Sequence, residues 1–198
     1  TAGRAPNQWN CSASTFDGSA DYILSNSSLT GTGQTARTMT FSAVLTIPPL
    51  ADARSGTMIM FRDNTLGADQ SPLLITQSIS GFYALSIRDT TDTNVMNQYN
   101  IGTYLGHGQT NHVCFSIDLD DASASKLYVN GIHRNHTFPS ATPSGGFRFN
   151  ANRLYIGSDT SAGAKTNGSM GEFYWDDGFI DLSTDNPFWD ADANRPKP

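Results

Sequence analysis

Hydrophobic and polar residues alternate with a period of two along several short segments of this chain. From 112 to 118, valine, phenylalanine and isoleucine alternate with histidine, cysteine and serine, a pattern typical of a β-strand with one buried face. A second apolar segment at 126–129 leads into Asn130-Gly131, and both residues tolerate the positive φ angles of a two-residue type I′ turn. We therefore predict a β-hairpin that returns the chain through Ile132.

Comparable segments recur along the chain and are separated by Gly, Pro, Asn, Asp and Ser, which is typical of short strands joined by turns. We predict strands at 39–47, 56–62, 73–76, 82–88, 95–101, 112–118, 126–129, 132–135, 153–157 and 171–175, and a strand-turn-strand unit at 15–23. No segment longer than about two turns follows the 3.6-residue helical period. Because each strand is expected to bury one face and solvate the other, the pattern predicts an all-β fold of two stacked antiparallel sheets, a β-sandwich or jelly roll.

The length of 198 residues suits one large all-β domain. We predict a single sandwich domain over residues 1–182 and a polar C-terminal tail over 183–198. The tail contains Phe188 and Trp189, which we expect to pack on the domain or on a neighbouring chain. The longest polar loops are predicted at 62–72, 102–111 and 158–169, and loops of this kind commonly carry function.

The charge of the chain argues against a nucleic-acid partner, and its hydropathy argues against membrane insertion. The net charge is −6 and the isoelectric point about 4.9, and the Lys and Arg residues form no basic run, so we predict no nucleic-acid partner. No apolar stretch approaches the ~20 residues of a membrane-spanning helix, so we predict no membrane insertion. The first ten residues lack the pattern of a signal peptide, and we expect a chain that is processed, excised from a longer protein or exported by another route.

The cysteines and histidines do not predict a metal site. Cys11 and Cys114 could form one disulfide, but two reduced and packed thiols are the favoured alternative, because a free cysteine behaves as a small buried hydrophobe. No Cys or His spacing resembles a zinc site. His133 and His136 are three residues apart on a predicted strand, which places them on opposite faces rather than around one ion.

Several motifs occur in a recognisable order. They are Phe16-Asp17-Gly18 with Asp21-Tyr22-Ile23, the segments 41–47 and 112–118, Leu127-Tyr128-Val129-Asn130-Gly131, Leu154-Tyr155-Ile156-Gly157 and the Gly-rich strand at 168–175. Together they resemble the laminin-G-like branch of the concanavalin A-like lectin/glucanase superfamily, a two-sheet jelly roll. The segment 179–198 is similar to endings that follow such domains in tailed-phage, prophage and gene-transfer-agent structural proteins, which implies an extracellular or virion-surface location.

The resemblance also implies a structural calcium ion, since relatives often carry Ile-Asp-Glu in the late strand. Here the matching run is Met170-Gly171-Glu172, with glycine at the place of the aspartate. Asp17, Asp21 and Glu172 are the candidate oxygen ligands, because calcium takes six to eight oxygens and accepts carbonyls. The favoured alternative is a chain without a cofactor, in which Asp17 forms a turn and Glu172 is solvated.

The sequence does not predict an enzyme. Glucanases of this fold carry E-x-D-x-x-E or E-x-D-x-E runs, because alternate strand positions place acid and nucleophile on one face. The nearest approach here is Asp118, Asp120 and Asp121, which we expect to form a solvated turn. No Gly-x-Ser-x-Gly elbow is present, and the four histidines do not indicate a Ser-His-Asp triad.

Glycan binding is the function that the resemblance favours. Lectin-like sites combine an aromatic platform with planar polar groups, and the candidate ligand-binding residues are Arg62, Tyr83, Arg88, Asn97, Tyr99 and Tyr104. Alternatively, Tyr83 belongs to the core and the arginines are strand-end charges. We predict a non-catalytic, lectin-like surface module that recognises cell-surface glycans, alone or as a homo-oligomer. The alternatives are a purely structural virion or decoration domain that contacts other virion chains and, less favoured, a glycoside hydrolase.

Overall fold

The structure is a computed structural model that describes residues 13–17, 23–24, 35–49, 56–62, 73–77, 83–88, 94–135, 146–148, 153–157, 167–184 and 186–197. The strands in these ranges are β1 Ala13–Asp17, β2 Ile23–Leu24, β3 Thr35–Ala36, β4 Thr38–Thr46, β5 Gly56–Arg62, β6 Leu73–Gln77, β7 Tyr83–Arg88, β8 Asn94–Asn100, β9 Thr110–Asp118, β10 Lys126–Val129, β11 Ile132–His133, β12 Phe147–Arg148, β13 Arg153–Ile156, β14 Asn167–Asp176, β15 Trp189–Asp190 and β16 Arg195–Pro196. A short 3-10 turn, Gly102–Tyr104, joins β8 to β9.

Most of these strands form two antiparallel six-stranded sheets, which we call sheet A and sheet B. Sheet A has the order β1-β14-β4-β9-β10-β11, and sheet B has the order β2-β13-β5-β6-β7-β8. The chain leaves sheet A after β4, builds β5 to β8 in sheet B, and returns to place β9 beside β4. Two short pairs, β3 with β12 and β15 with β16, complete the described strands. The predicted two-sheet antiparallel sandwich is confirmed.

The hydrophobic core lies between the two sheets, where the alternation predicted it. Phe41 of β4 and Phe115 of β9 are register partners, and their rings stack with centroids 5.0 Å apart. Among the described residues of sheet B, Ile75 and Ile156 belong to the same core cluster. Full burial of side chains of this size stabilises the fold by about 1.5–3 kcal/mol each, so the paired central strands β4 and β9 account for much of the core.

The predicted hairpin at Asn130-Gly131 is also confirmed. Asn130 and Gly131 have φ angles of 54° and 73°, as a type I′ turn requires, and the turn connects β10 to β11. The Asn130 side chain accepts a hydrogen bond from the His112 backbone N–H at 2.8 Å, and the Asn130 N–H donates to the His112 carbonyl at 2.8 Å. The turn therefore holds the first half of β9 in place.

One expectation is wrong for the central strands of sheet A. Each residue from 39 to 45 and from 111 to 117 is buried, although the alternation predicted a solvated face for β4 and β9. The covering layer is formed by residues 178–184 and 186–197 of the C-terminal segment, which we call the strap. The Ile180 N–H donates to the hydroxyls of Thr40 at 3.1 Å and Ser116 at 3.2 Å. A covering layer supplied by a distant segment leaves no periodic signal in the strands that it covers. The alternation therefore predicted that the outer polar positions of β4 and β9 would be solvated.

The two tail aromatics pack on the domain. Trp189 stacks on the His112 ring with centroids 5.5 Å apart, and Phe188 lies against Tyr174 with centroids 4.9 Å apart. The division into a domain at 1–182 and a tail at 183–198 stays a prediction. Cys114 is a free, buried thiol, as the packed-thiol alternative predicts, and Cys11 lies outside the described residues. None of the described helical segments is long and apolar enough to cross a membrane.

Candidate functional site

The structure brings two of the predicted ligand residues to one end of sheet B. Arg62 is the last residue of β5, and Arg88 is the last residue of β7. Both strands pair antiparallel with β6, which lies between them, so they run in the same direction and finish at the same end of the sheet. Two strand spacings separate them, which corresponds to about 10 Å.

The predicted tyrosines lie at the opposite end of the sheet. Tyr83 is the first residue of β7, five positions before Arg88, or about 17 Å along the strand. Tyr99 is the register partner of Leu85, and Tyr104 follows in the 3-10 turn after β8. Asn97 occupies the middle of β8. The six residues therefore form no single cluster, and an aromatic platform with both arginines beside it is not assembled.

Tyr104 already has a partner for one face of its ring. The guanidinium carbon of Arg134 lies 4.4 Å from the ring centroid, which is a cation–π contact. The turn that carries Tyr104 is closed by its backbone N–H, which donates to the Ile101 carbonyl at 2.9 Å. A sugar could stack only on the other face, a restriction that sequence reasoning missed because Arg134 follows thirty residues later.

The candidate calcium ligands are not brought together. Asp17 at the end of β1 pairs with Asn167, whereas Ala13 at its start pairs with Gly171, the residue before Glu172. Asp17 and Glu172 are thus separated by five ladder positions, about 17 Å, which is too far for both carboxylates to ligate one ion. Asp21 lies outside the described residues. Among the described residues, no group of three or more His, Cys, Asp or Glu side chains could hold a metal ion.

Glu172 occupies a β-bulge. Between Gly171 and Tyr174, β14 advances three residues while its partner β4 advances two, from Val44 to Ser42. The extra residue is accommodated by Glu172, which is exposed and has a φ of 49°. Bulges redirect a side chain and interrupt pairing, so the late-strand motif that suggested calcium is a backbone irregularity in this chain.

The acidic run at 118–121 forms a turn, as predicted. An Asp118 carboxylate oxygen accepts the backbone N–H groups of Asp120 at 2.8 Å and Asp121 at 3.3 Å. Asp121 in turn accepts from the N–H of Ser123 at 3.0 Å, and hydrogen bonding, first from the Ser123 hydroxyl, lowers the pKa of the Asp121 carboxyl. Asp120 pairs with Arg37 at 2.8 Å. These carboxylates are occupied in shaping the loop.

A buried polar cluster lies between sheet A and the strap. The Ser42 hydroxyl and Nε2 of His112 are 2.8 Å apart, Trp189 stacks on the imidazole, and the Asn186 amide donates to Sγ of Cys114 at 3.5 Å. Burial lowers the pKa of His112 to about 4 and raises that of the Cys114 thiol to about 12. At neutral pH the cluster therefore holds a neutral imidazole and a neutral thiol.

The Ser42–His112 pair has the spacing of a nucleophile and its base, but its surroundings differ from those of a hydrolytic site. Ser42 and His112 are 3% and 1% exposed, so no substrate reaches them while the strap is in place. Nδ1 of His112 is buried without a hydrogen-bond partner, whereas a triad orients this nitrogen with a carboxylate. The pair therefore serves to attach β4 to β9 under the strap.

A family profile matches the sequence over most of its length. Residues 17–178 match the profile described as the concanavalin A-like lectin/glucanases superfamily. This chain belongs to that superfamily. The matched range extends from the end of β1 through β14 to the first residue of the strap, so the resemblance noted from the ordered motifs is confirmed. No curated protein sequence matches the chain significantly.

Solved structures show the same superfamily fold at low sequence identity. The receptor binding domain of botulinum neurotoxin D aligns with a TM-score of 0.64 and 13% identity, over 88% of this chain and 42% of that one. Domain 4 of AbnA, a GH43 extracellular arabinanase from Geobacillus stearothermophilus, in complex with arabinotriose, aligns with a TM-score of 0.55 and 16% identity. The alignment covers 88% of this chain and 74% of that one. A heptameric SAP-like pentraxin from Limulus polyphemus aligns with a TM-score of 0.56 and 14% identity, over 87% of this chain and 79% of that one.

At 13–16% identity, these similarities establish the fold of this superfamily member. The chain spans 42% of the botulinum neurotoxin D domain, so it corresponds to one part of that structure.

Proposed function

We propose that this chain is a non-catalytic carbohydrate-binding module that acts at the surface of a larger extracellular or virion assembly. The observation that carries the proposal is the position of the acidic residues in a fold shared by lectins and glucanases. Only one glutamate, Glu172, occurs in the sequence, and it occupies the bulge of β14. An E-x-D-x-x-E run is therefore absent from the chain.

The remaining acidic residues that are two positions apart also lie at turns. Asp118 and Asp120 belong to the loop described above, and Asp190 with Asp192 belongs to the turn of the β15–β16 hairpin, where Asp190 accepts the Ala193 N–H at 2.9 Å. A retaining glycosidase needs two carboxyl groups facing each other at about 5–5.5 Å across the scissile bond. Carboxylates occupied in turns do not provide that arrangement, which supports binding without hydrolysis.

The strap decides which sheet offers the binding surface. It covers the outer face of sheet A along β4 and β9, so a polysaccharide cannot lie across these strands. Sheet B carries Arg62 and Arg88 at one end and Tyr83 and Tyr99 near the other. The outer face of sheet B is itself covered at β13, where Tyr155 is 6% exposed. The site is therefore proposed at the ends of β5, β7 and β8 and on their adjoining loops, where the arginine end and the tyrosine end of the sheet would contact different parts of one polysaccharide.

Similar structures support this proposal at the level of ligand class. Domain 4 of the arabinanase holds arabinotriose, and the botulinum neurotoxin domains are receptor-binding domains. The resemblance of residues 179–198 to phage structural endings supports a virion setting, and the heptameric pentraxin supports assembly from several copies. Surface modules with weak single sites gain avidity in this way.

The test is a glycan array probed with the purified chain, followed by calorimetric titration of each hit and an assay for released reducing ends. We expect binding of at least one polysaccharide class and no release of reducing ends. Heat-denatured protein is the control for unspecific adsorption. No binding at millimolar sugar would contradict the proposal and favour a purely structural decoration domain. Sugar release that is lost in an Asp118→Asn/Asp120→Asn variant would instead show a glycoside hydrolase.

A further inference from the structure

The end of the strap, residues 186–197, lies over one histidine of sheet A, and we call it the distal strap. Its two short strands, β15 and β16, pair with each other rather than with sheet A. Trp189 is 8% exposed and stacks on the His112 ring with centroids 5.5 Å apart. A Cβ on Gly131 would overlap the same indole. The distal strap is therefore seated on sheet A through an indole that packs on His112 and on the hairpin turn.

The surroundings of the His112 ring suit its neutral form only. Nε2 lies 2.8 Å from the Ser42 hydroxyl, whereas Nδ1 is buried and has no hydrogen-bond partner among the described residues. An imidazolium carries an N–H on both nitrogens, and the Ser42 hydroxyl can accept only the one on Nε2. The Trp189 ring face attracts a cation but offers no acceptor to Nδ1–H. Protonation would therefore leave a buried, charged donor unpaired, which is costly.

Among the described residues, no carboxylate pairs with His112 to balance the added charge. β4 contains no titratable residue. The titratable or charged residues of the other strands around the ring are Cys114 and Asp118 of β9, Lys126 and Tyr128 of β10, His133 of β11, Asp190 of β15 and Arg195 of β16. Asp118 accepts backbone N–H groups of the loop after β9, and Asp190 accepts the Ala193 N–H at 2.9 Å. The charge can thus be relieved only by water, which requires Trp189 to leave the ring.

We propose that the distal strap is a latch that detaches from sheet A when His112 is protonated, while the two sheets stay folded, and that its release exposes His112 and Cys114. The core lies on the other face of β4 and β9, where Phe41 and Phe115 stack, so it loses no contact when the latch opens. The start of the strap stays attached, because the Ile180 N–H donates to hydroxyls of these strands. The latch is independent of the proposed carbohydrate binding.

Cys114 reports the open state, because its thiol is buried and the Asn186 amide of the distal strap lies 3.5 Å from its Sγ. The experiment measures the rate at which dithiodipyridine labels Cys114 in a Cys11→Ser background. At each pH this rate is divided by the rate for the same protein unfolded in urea, so that the pH dependence of the thiol chemistry cancels. The test variant is His112→Gln. The matched control is His133→Gln, which changes an exposed histidine on β11.

Acid favours the open state, because the closed state binds the His112 proton less readily. Burial lowers the pKa of His112 to about 4, and opening returns it to its ordinary value of 6.5. The protection of Cys114 should therefore fall about twentyfold between neutral pH and about pH 5 in the background protein and in His133→Gln, and less than about threefold in His112→Gln. Constant protection in the background protein, an equal fall in His112→Gln, or protection that rises in acid because the indole retains the imidazolium would each overturn the latch.

Hydrogen exchange of the wild type separates opening of the latch from unfolding of the whole domain, and it does not depend on whether His112→Gln folds. Exchange is followed by mass spectrometry and divided by the intrinsic rate at each pH. Peptides from 186–197 should lose protection by the same factor as Cys114, because a detached two-stranded hairpin is only marginally stable. Peptides from β4 should keep their protection. An equal loss in β4 would show that the whole domain opens and would overturn the latch.

Discussion

Mild acid is expected to destabilise this protein through one buried side chain, His112. Burial lowers the pKa of His112 to about 4 from an ordinary value of 6.5, because the imidazolium would lose its hydration. Each pH unit between the two values is equivalent to about 1.4 kcal/mol. Protonation of His112 therefore costs the folded state about 3 kcal/mol, a large fraction of the ~5–15 kcal/mol that holds a typical domain together.

The sign follows from proton binding in the two states. The folded state binds the His112 proton less readily than the unfolded state, so acid favours unfolding. The contribution of neutral His112 to the free energy of unfolding is fully present above pH 6.5, falls as the pH is lowered, and is gone near pH 4. The ring contacts Ser42 through Nε2 and Trp189 through its face, and neither partner carries a negative charge that could stabilise the imidazolium.

The assay is urea unfolding followed by circular dichroism at several pH values between neutral and about 5, where ordinary carboxylates remain largely ionised. The wild type should lose stability steadily over this interval. His112→Gln should be less stable at neutral pH but nearly independent of pH, since glutamine does not titrate. His133→Gln, which changes an exposed histidine, is the matched control and should behave like the wild type. Equal pH dependence in wild type and His112→Gln would refute the reasoning.

Three further predictions concern the packing of the strap and of the hairpin beneath it. Gly131→Ala should destabilise the protein by about 1–3 kcal/mol more than Gly108→Ala in urea unfolding. Both glycines have positive φ, but a Cβ on Gly131 would overlap the Trp189 indole, whereas one on Gly108 would make an ordinary contact with Cγ of Pro49 at 3.9 Å. Trp189→Ala should cost about 3 kcal/mol. In a Cys11→Ser background it should also expose Cys114, which is buried in the native protein, to a thiol reagent, and a colorimetric thiol assay measures the reaction. Asn130→Ala should cost about 1–2 kcal/mol, because it removes the acceptor for the His112 N–H and places alanine at a φ of 54°; an unchanged urea midpoint would contradict it.

The local pattern predicted a large part of the fold. Every predicted strand position overlaps an observed strand, and the turn at Asn130-Gly131 forms with the expected backbone angles. These features depend on near neighbours in the chain, through alternation and turn geometry. The strands that the sequence did not reveal, β3, β12, β15 and β16, are two residues long, and two residues are too few to show a period.

The candidate site was less predictable, because it depends on register. Arg62, Arg88 and Tyr83 were singled out from the sequence, but only strand pairing placed the two arginines at one end of sheet B and the tyrosine at the other. Pairing also placed Asp17 and Glu172 five positions apart along one ladder, so their two carboxylates are too far apart to ligate one calcium ion. Neither composition nor residue spacing predicts the register between strands that are distant in the sequence, because that register depends on how the faces of the two sheets pack against each other.

The sequence by itself determined that the chain forms short strands with one apolar face, that these stack as an antiparallel sandwich, and that Asn130-Gly131 turns the chain. Only the tertiary structure decided that the outer face of sheet A is covered along β4 and β9 by the strap. His112 illustrates the difference, because its place in an alternating strand marked it as solvated until Trp189, 77 residues later in the chain, buried it. Alternation predicts on which side of a strand a residue lies, whereas contacts between distant segments decide what covers that side.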